Sequence, residues 1–213
     1  MIGLIELAAD GHFRLMVGGL INPINPINLI NHFAPPALIV TFGVHFLTTN
    51  HAMKYRRLQQ DELESLEKDF IRFLATNQVT ASEWEKLKDE ESEKVEKLIR
   101  IFSDIVFEKV LNDVQYLEYK TPKDIKTFHF EEDRIVMNGL LVEGQTSFDF
   151  TLEQSPQQML QQIQLTGAKL KLYTAEKAYS RARNMEIFEM IENGALISKD
   201  GGLFRTLEGL KGE

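Results

Sequence analysis

The stretch TFHFEEDRIVMNGLLV, residues 127–142, decides the fold class. Its two ends, residues 127–130 and 134–142, are rich in aromatic and β-branched side chains, and Glu131-Glu132-Asp133 separates them. Two such runs joined by a short polar turn are typical of an antiparallel β-hairpin. A further alternating run, residues 168–173, predicts another strand whose lysines point outward. We therefore expect a mainly antiparallel sheet in the C-terminal half of the chain.

Three helices are predicted ahead of the hairpin, the second of them short and partly exposed. Residues 59–75 carry leucine and phenylalanine at a spacing of three to four, with Asp61 as the cap. The sequence TASE, residues 80–83, is a capping box that begins the second helix, because its hydroxyl and carboxylate satisfy each other's backbone amides. Residues 93–112 have the widest apolar face, so we expect the third helix to be the most buried.

Shorter elements are predicted after residue 142. They are a strand at 147–151, a helix from Ser155-Pro156 to Gly167, a helix at 184–192, and a last hairpin with arms at 195–197 and 203–205. Helices come first and strands dominate later, and no strand is followed by a glycine-rich turn and a helix. This order predicts an α+β fold in which N-terminal helices pack with a mainly antiparallel sheet.

The first 52 residues differ in composition from the rest of the chain. They contain three charged side chains, whereas residues 53–213 contain 23 Lys/Arg and 30 Asp/Glu. The apolar run 37–47 is about half the roughly 20 residues that a membrane helix needs, so we expect no membrane span. Residues 21–31 repeat Ile-Asn-Pro, and the prolines exclude a helix there.

We interpret residues 1–52 as a low-complexity extension that is disordered or is not part of the native protein. In the second case Met53 is the true start, and the residues before it come from an upstream frame read through a short nucleotide repeat. The alternative is a genuine extension that docks its 37–47 run as a strand. Mass spectrometry of the protein made from its own gene separates these cases. Residues 53–213 are predicted to form a single α+β domain.

The composition also limits the available chemistry. The chain has no cysteine, which excludes a disulfide framework, Cys-ligated zinc and thiol catalysis. Its net charge of −8 is typical of a protein that is not drawn as a whole to nucleic acid or anionic lipid. Four of the five histidines are scattered singly through residues 1–52. We expect a cytoplasmic protein with no cofactor, no metal site and no membrane association.

A basic segment, residues 168–183, departs from this acidic background. It contains five lysines and arginines against one acid, with two tyrosines between them. The candidate residues for contact with a partner or a nucleic acid are Lys169, Lys171, Tyr173, Lys177, Tyr179, Arg181 and Arg183. Basic side chains beside aromatic ones contact phosphates and stack on bases. The alternative is an exposed strand whose lysines protect a sheet edge and whose bases pair with nearby acids.

Three other polar groups lack the partners that a reaction needs. Asp104 and Glu108 lie one helical turn apart, but no Glu-x-x-His motif accompanies them, so we interpret them as a solvated helix face. The acidic run 131–133 lacks the spacing of a calcium loop and is interpreted as a polar turn. His129 is expected to point away from its two phenylalanine neighbours, and no motif pairs with it. No catalytic residue is predicted.

Several motifs recur together in one known family. They are KYRRL at 54–58, DFIRFLA at 69–75, TASEW at 80–84, FSDIV at 102–106, and YLE at 116–118 followed by Pro122. With these motifs the chain resembles an uncharacterised family of small acidic proteins from Bacteroidota-type bacteria, of about the length of residues 53–213. The resemblance covers about residues 53–207 and none of residues 1–52. It implies a start at Met53 and no catalytic residues.

These features favour a non-enzymatic protein-interaction or regulatory module with a protein as its partner. The alternative is a nucleic-acid (RNA)-associated factor that uses the basic segment. A weaker alternative is an enzyme whose acidic site is assembled from distant parts of the chain and is not visible in the sequence. Trp84 is expected either in the core or as an exposed anchor for a partner.

Overall fold

The computed structural model describes residues 4–7, 13–16, 52–144, 149–152, 161, 165 and 168–212. The chain divides into two compact units, one of residues 25–113 and the other of residues 1–24 with residues 114–213. The described part of the first unit is helical, and the second contains the main sheet. The predicted α+β class is therefore confirmed.

The described part of residues 1–24 is an antiparallel strand pair. Its strands are β1 (Leu4–Leu7) and β2 (Phe13–Met16), in a register that places Leu4 opposite Met16. No element was predicted here. The 21–31 repeat and the 37–47 run lie outside the described residues.

Four helices form the described part of residues 25–113. They are α1 (Gln60–Ser65), α2 (Glu67–Thr76), α3 (Ala81–Glu90) and α4 (Ser92–Asp113). The single helix predicted at 59–75 is thus two helices that separate at Leu66, whose N–H donates to the oxygen of Leu63 at 3.1 Å. That bond spans three residues instead of four, so the helical path changes there. The α1 cap is Gln59, whose N–H donates to Glu62 Oε2 at 2.7 Å, and not Asp61.

The other two helix predictions are confirmed. Helix α3 begins at the capping box, in which Thr80 N–H donates to Glu83 Oε2 at 2.7 Å and Glu83 N–H donates to Thr80 Oγ1 at 3.3 Å. Helix α4 buries most of its apolar positions. Its Phe102 is fully buried, with its ring centroid 5.0 Å from that of Phe70. Trp84 meets Phe70 edge-on at 5.4 Å, so it is a half-buried part of this aromatic cluster.

Five antiparallel strands form the main sheet. They are β3 (Tyr116–Lys120), β4 (Asp124–Phe130), β5 (Arg134–Glu143), β6 (Lys169–Ala178) and β7 (Leu196–Ser198). Their order in the sheet is β6-β5-β4-β3-β7. The predicted hairpin is the β4–β5 pair, and Glu131 N–H closes its turn on the oxygen of Arg134 at 3.0 Å. Strand β3 was not predicted, although Tyr116-Leu117-Glu118-Tyr119 alternates and Leu117 is fully buried.

The sheet has two faces, which follow from the alternation of side chains along each strand. We call them the Phe128 face and the Asn138 face after two fully buried residues of β4 and β5. Helix α5 (Arg183–Glu192), which was predicted at 184–192, has its Arg183 over the ring of Phe130 on the Phe128 face. Helix α6 (Gly202–Gly209) lies on the Asn138 face, where Asn138 Nδ2 donates to Glu208 Oε2 at 2.5 Å.

The second arm of the predicted final hairpin is wrong. Strand β7 is followed by α6, where a strand at 203–205 was expected. The apolar residues of this segment recur at helical spacing, at Leu203, Phe204 and Leu207. Phe204 and Leu207 are buried. Gly201 precedes α6 with φ 59°, and a Cβ there would lie 2.6 Å from the ring of Tyr116. The glycine therefore starts a helix and is not part of a hairpin turn.

Two predictions fall at or beyond the limits of the described residues. Residues 149–151 form a turn, in which Thr151 N–H donates to Asp149 Oδ1 at 2.8 Å, so the described part of the predicted 147–151 strand is wrong. The helix predicted to begin at Ser155 lies largely outside the described residues. In the ranges given above, no helix combines the length and the apolar character that crossing a membrane requires.

Candidate interaction surface

The basic segment is strand β6 together with the link into helix α5. Lys169, Lys171, Tyr173 and Lys177 lie on β6 and alternate with their neighbours, so they share the Phe128 face of the sheet. Tyr179 and Arg181 lie in the link, and Arg183 is the first residue of α5. The seven predicted residues therefore extend from β6 through the link to the first residue of α5. They differ in their exposure and in the residues they contact.

Tyr173 is held by contacts inside the sheet. Its hydroxyl donates to Asp124 Oδ1 at 2.6 Å, and Lys126 Nζ lies 3.2 Å from the other carboxylate oxygen. Burial raises the pKa of Tyr173, and the hydrogen bond and charge of Asp124 raise it further. The ring lies against Gly139 on β5. A half-buried phenol bonded at its hydroxyl and covered on its ring is a packing residue.

Lys177 is bound to a carboxylate at the start of α5. Its Nζ donates to Glu186 Oε2 at 2.5 Å, and the Glu186 side chain is 4% exposed. The other oxygen of Glu186 accepts from the backbone N–H of Ser180 at 2.5 Å and from the Ser180 hydroxyl at 3.0 Å. Burial raises the pKa of Glu186, but the bonds from Lys177 and Ser180 more than offset it, so this pKa lies below its ordinary range.

The remaining residues of the link also have partners within the sheet unit. Tyr179 donates its hydroxyl to the oxygen of Glu131 at 2.7 Å. Arg181 forms an ion pair with Glu189, and Arg183 donates to the oxygen of Val114. These contacts tie β6, α5 and the β4–β5 turn together. Five of the seven predicted contact residues thus have structural partners.

Lys169 and Lys171 are exposed on the strand itself, whereas Arg181, which is also exposed, lies in the link and is paired with Glu189. The Lys171 side chain is 63% exposed, and its Nζ lies 4.0 Å from Glu143 on the neighbouring strand. Lys169 stands opposite Glu143 in the β5–β6 register and is exposed as well. Exposed ion pairs of this kind contribute little to stability. The two lysines are therefore available for contact with a partner.

Strand β6 is an outer strand of the sheet. It pairs with β5 over all ten of its residues without a bulge, and no described residue pairs with its other side. The opposite edge of the sheet is β7, which has three residues. Natural sheets protect their edges with short outer strands, with proline or bulges, or with charged side chains, lysine above all. The β7 edge is short, whereas β6 is long and regular and is protected by lysines instead, whose charge an acidic strand would neutralise. We call the outer side of residues 169–178 the β6 edge.

The Asn138 face of β6 is more apolar than the Phe128 face. Its two leucines alternate in sequence with the two exposed lysines. Leu170 is 43% exposed and Leu172 is half-buried. Thr174 donates to the oxygen of Met137 at 3.0 Å and accepts from Lys211 Nζ at 3.1 Å. No role was predicted for the leucines, although their alternation with the lysines is visible in the sequence.

Asp104 and Glu108 are not a solvated helix face, which corrects the prediction. Asp104 is 7% exposed and accepts the backbone N–H groups of Lys54 at 2.8 Å and Tyr55 at 2.9 Å. Glu108 Oε2 accepts from Lys54 Nζ and from the Tyr55 hydroxyl, both at 2.6 Å. The sequence pattern placed the two acids on one face of α4, but it did not show that residues 54–55 lie on them.

His129 points away from Phe128 and Phe130, its neighbours in sequence, as predicted. It lies on the Asn138 face, stacked on Tyr116 with ring centroids 4.6 Å apart and 5.3 Å from the ring of Phe204. Its Nδ1 is 3.7 Å from Glu131 Oε1. Among the described residues, no group of three or more histidines and carboxylates is placed to hold a metal ion.

The comparisons with known proteins identify a family. A search of the curated proteins found no match, and a search of the solved structures found none. The model of a family of unknown function (DUF6495) matches residues 53–212. That match begins at Met53 and includes helices α1–α6 and the five-stranded sheet. The chain therefore belongs to the DUF6495 family.

Proposed function

We propose that residues 53–213 form a single domain that acts as a non-enzymatic protein-interaction module. The observation that carries this proposal is the β6 edge, a strand of ten residues whose outer side no described residue pairs. Such an edge presents a row of backbone donors and acceptors, which another chain satisfies by pairing with it. A cytoplasmic location is part of the proposal, because a chain without cysteine suits a reducing compartment.

The charges on the basic segment support a protein partner more than a nucleic acid. A nucleic-acid site needs bases and aromatic rings that reach phosphates and nucleobases. Here both tyrosines donate their hydroxyls inside the sheet unit, and Lys177 is bound to the buried Glu186. Two exposed lysines beside one glutamate leave a weak positive charge. An RNA-associated role is therefore the second candidate, and it rests on Lys169 and Lys171.

The carboxylates with displaced pKa values have structural partners, which supports a role without catalysis. Glu186 binds Lys177 and Ser180. Bonds from Lys211 and Asn138 lower the pKa of Glu208. A general acid or base needs a pKa near the working pH, and hydrogen bonds that lower a carboxyl pKa move it the other way. An enzymatic role would require acids that lie elsewhere in the chain.

Site-specific photo-cross-linking tests the proposal in the native cell. A benzophenone side chain replaces Lys171 in one variant of the full chain and Lys199 in a matched control. Lys199 is also exposed but lies in the turn after β7. We expect protein adducts at position 171 that resist nuclease and are absent at position 199. Nuclease-sensitive adducts at position 171 would favour the RNA-associated role, and no adduct above the control would contradict both.

A further inference from the structure

We infer that the β6 edge binds an extended acidic segment of a partner protein, which adds to the sheet as a sixth strand. This inference rests on the proposed function and names the partner chemistry for the same surface. In strand addition the main-chain hydrogen bonds supply affinity, and the side chains that alternate along the edge supply specificity. Both the backbone and the side chains of β6 are suited to this.

The backbone of β6 is suited to pairing along its whole length. Its register with β5 runs without interruption from Glu143 opposite Lys169 to Arg134 opposite Ala178. Residues 169–178 contain no proline and no glycine. A strand without bulges keeps its outer N–H and C=O groups in one row. An incoming strand can thus form a regular ladder on it.

The exposed lysines of β6 favour an incoming strand that is negatively charged. Lys169 and Lys171 lie on the Phe128 face, two residues apart, and both are exposed. Residues directly opposite each other on paired strands point to the same face, and opposite charges in such pairs are stabilising. An incoming strand with carboxylates two residues apart places one acid opposite each lysine.

The leucines of β6 favour apolar residues between those acids. Leu170 and Leu172 lie on the Asn138 face and alternate with the lysines. Leu170 is 43% exposed, so an apolar or β-branched side chain opposite it removes apolar surface from water. The matching ligand therefore alternates acidic and apolar residues over at least the four positions opposite residues 169–172.

A second copy of this chain is a poorer occupant of the same edge. In a symmetric antiparallel pair of two β6 strands, the Phe128 face of one copy continues the Phe128 face of the other. On that face β6 carries Lys169, Lys171, Tyr173, Ala175 and Lys177, and no carboxylate. The lysines would therefore meet no acid, and like charges that face each other are destabilising. The charge pattern favours a different protein.

A synthetic peptide of alternating glutamate and valine, labelled with a fluorophore, tests the inference on the full chain. Two further versions carry backbone N-methyl groups on every second residue, one set on the odd and one on the even positions. Only one set of amides faces β6 in a ladder. We expect the unmodified peptide to bind, one N-methylated version to bind at least about tenfold more weakly, and the other to bind as before.

Charge-reversal variants locate the binding site. Lys169→Glu with Lys171→Glu should weaken binding of the peptide at least about tenfold, whereas Lys199→Glu, at a lysine that is also exposed, should not. Thermal unfolding of each variant shows that it is folded. The inference is overturned if the peptide does not bind, if both N-methylated peptides bind equally well, or if the lysine pair has no effect.

The two proposals fail in different ways. Protein cross-links at position 171 together with no binding of the peptide would retain the interaction role and reject the acidic strand as the ligand. Binding of the peptide with nuclease-sensitive cross-links at position 171 would instead show an edge that accepts acidic polymers in general, which overturns strand addition by a partner protein.

Discussion

The ring of Tyr173 occupies the space above Gly139, the residue opposite it on the neighbouring strand. A Cβ added at Gly139 would lie 2.1 Å from Cζ of that ring, which is closer than any two such atoms can approach. The hydroxyl of Tyr173 is fixed at its far end by Asp124 at 2.6 Å. The three residues therefore form one packed group across β4, β5 and β6.

The first prediction is that Gly139→Ala destabilises the protein by about 1–3 kcal/mol, because the added methyl group forces the Tyr173 ring out of its position. Chemical denaturation measures this change. In a Tyr173→Ala background the same substitution should lower the free energy of unfolding by less, and a double-mutant cycle measures the difference. Gly209→Ala is the control, since nothing lies within 4 Å of a Cβ there. Equal costs for Gly139→Ala in both backgrounds would show that the ring is not the obstacle.

The second prediction concerns alkaline pH. A phenol whose pKa is raised by folding stabilises the protein fully below its unfolded pKa of about 10, and this contribution is lost as the pH rises through the folded pKa. Burial and Asp124 raise the pKa of Tyr173 in this way. We expect the free energy of unfolding to fall between about pH 9 and about pH 11, and to fall less in Tyr173→Phe.

The comparison between the two proteins isolates Tyr173 from other groups. Burial also raises the pKa of Tyr119 and Tyr179, so the fall should shrink in the variant without disappearing. Urea denaturation at several pH values supplies the measurement. A pH dependence identical in both proteins would mean that Tyr173 ionises as easily folded as unfolded.

The third prediction is that Asp104→Asn destabilises the protein by roughly 1.5–3 kcal/mol. Its carboxylate accepts two backbone N–H groups, and an amide can offer an acceptor to only one of them. Asp113→Asn is the matched control, because Asp113 is exposed in the last turn of the same helix. A negative charge there opposes the helix dipole, so its removal should be neutral or slightly stabilising. Similar losses in both variants would refute a role for Asp104 in holding residues 54–55.

The fourth prediction concerns acid. The pKa of Glu186 is lowered on folding, so its contribution to stability is present above the unfolded pKa of about 4.3 and is lost as the pH falls through the lower folded pKa. Glu186→Gln should therefore be less stable than the wild type at neutral pH, and less sensitive to acid. Glu189→Gln should change stability by at most about 1 kcal/mol, because the Arg181–Glu189 pair is exposed.

Thermal unfolding at several pH values between about 3 and about 7 tests this prediction. The difference between the wild type and Glu186→Gln should narrow as the pH falls. A constant difference over that range would mean that the carboxylate gains nothing from Lys177 and Ser180 in the folded protein.

The fifth prediction concerns the proposed domain boundary at Met53. The family match begins at this residue, and residues 54–58 are fixed by contacts with α1 and α4, including Arg56 with Glu62 at 2.9 Å. A protein that begins at Met53 should therefore fold with an unfolding midpoint close to that of the full chain. Circular dichroism during heating measures both. A substantially lower midpoint would show that the preceding residues contribute to the domain.

Local patterns predicted the elements whose stabilising contacts are close in sequence. The Thr80–Glu83 box, the helix at 93–112 and the β4–β5 hairpin each lie within one continuous stretch of the chain. Strand β3 and helix α6 were missed. The first also pairs with β7, far along the chain, and the second is stabilised by burying Phe204 and Leu207 against the main sheet.

The sequence by itself determined the α+β class, the absence of cysteine chemistry, the change of composition at Met53 and the seven residues of the basic segment. Only the tertiary structure decided what those residues do. It binds Lys177 to Glu186 and Tyr173 to Asp124, and it leaves Lys169 and Lys171 exposed on an outer strand. The physical reason is that the contacts of these side chains are with residues distant in sequence, which local patterns do not reveal. Tyr173 and Asp124, for example, are 49 residues apart.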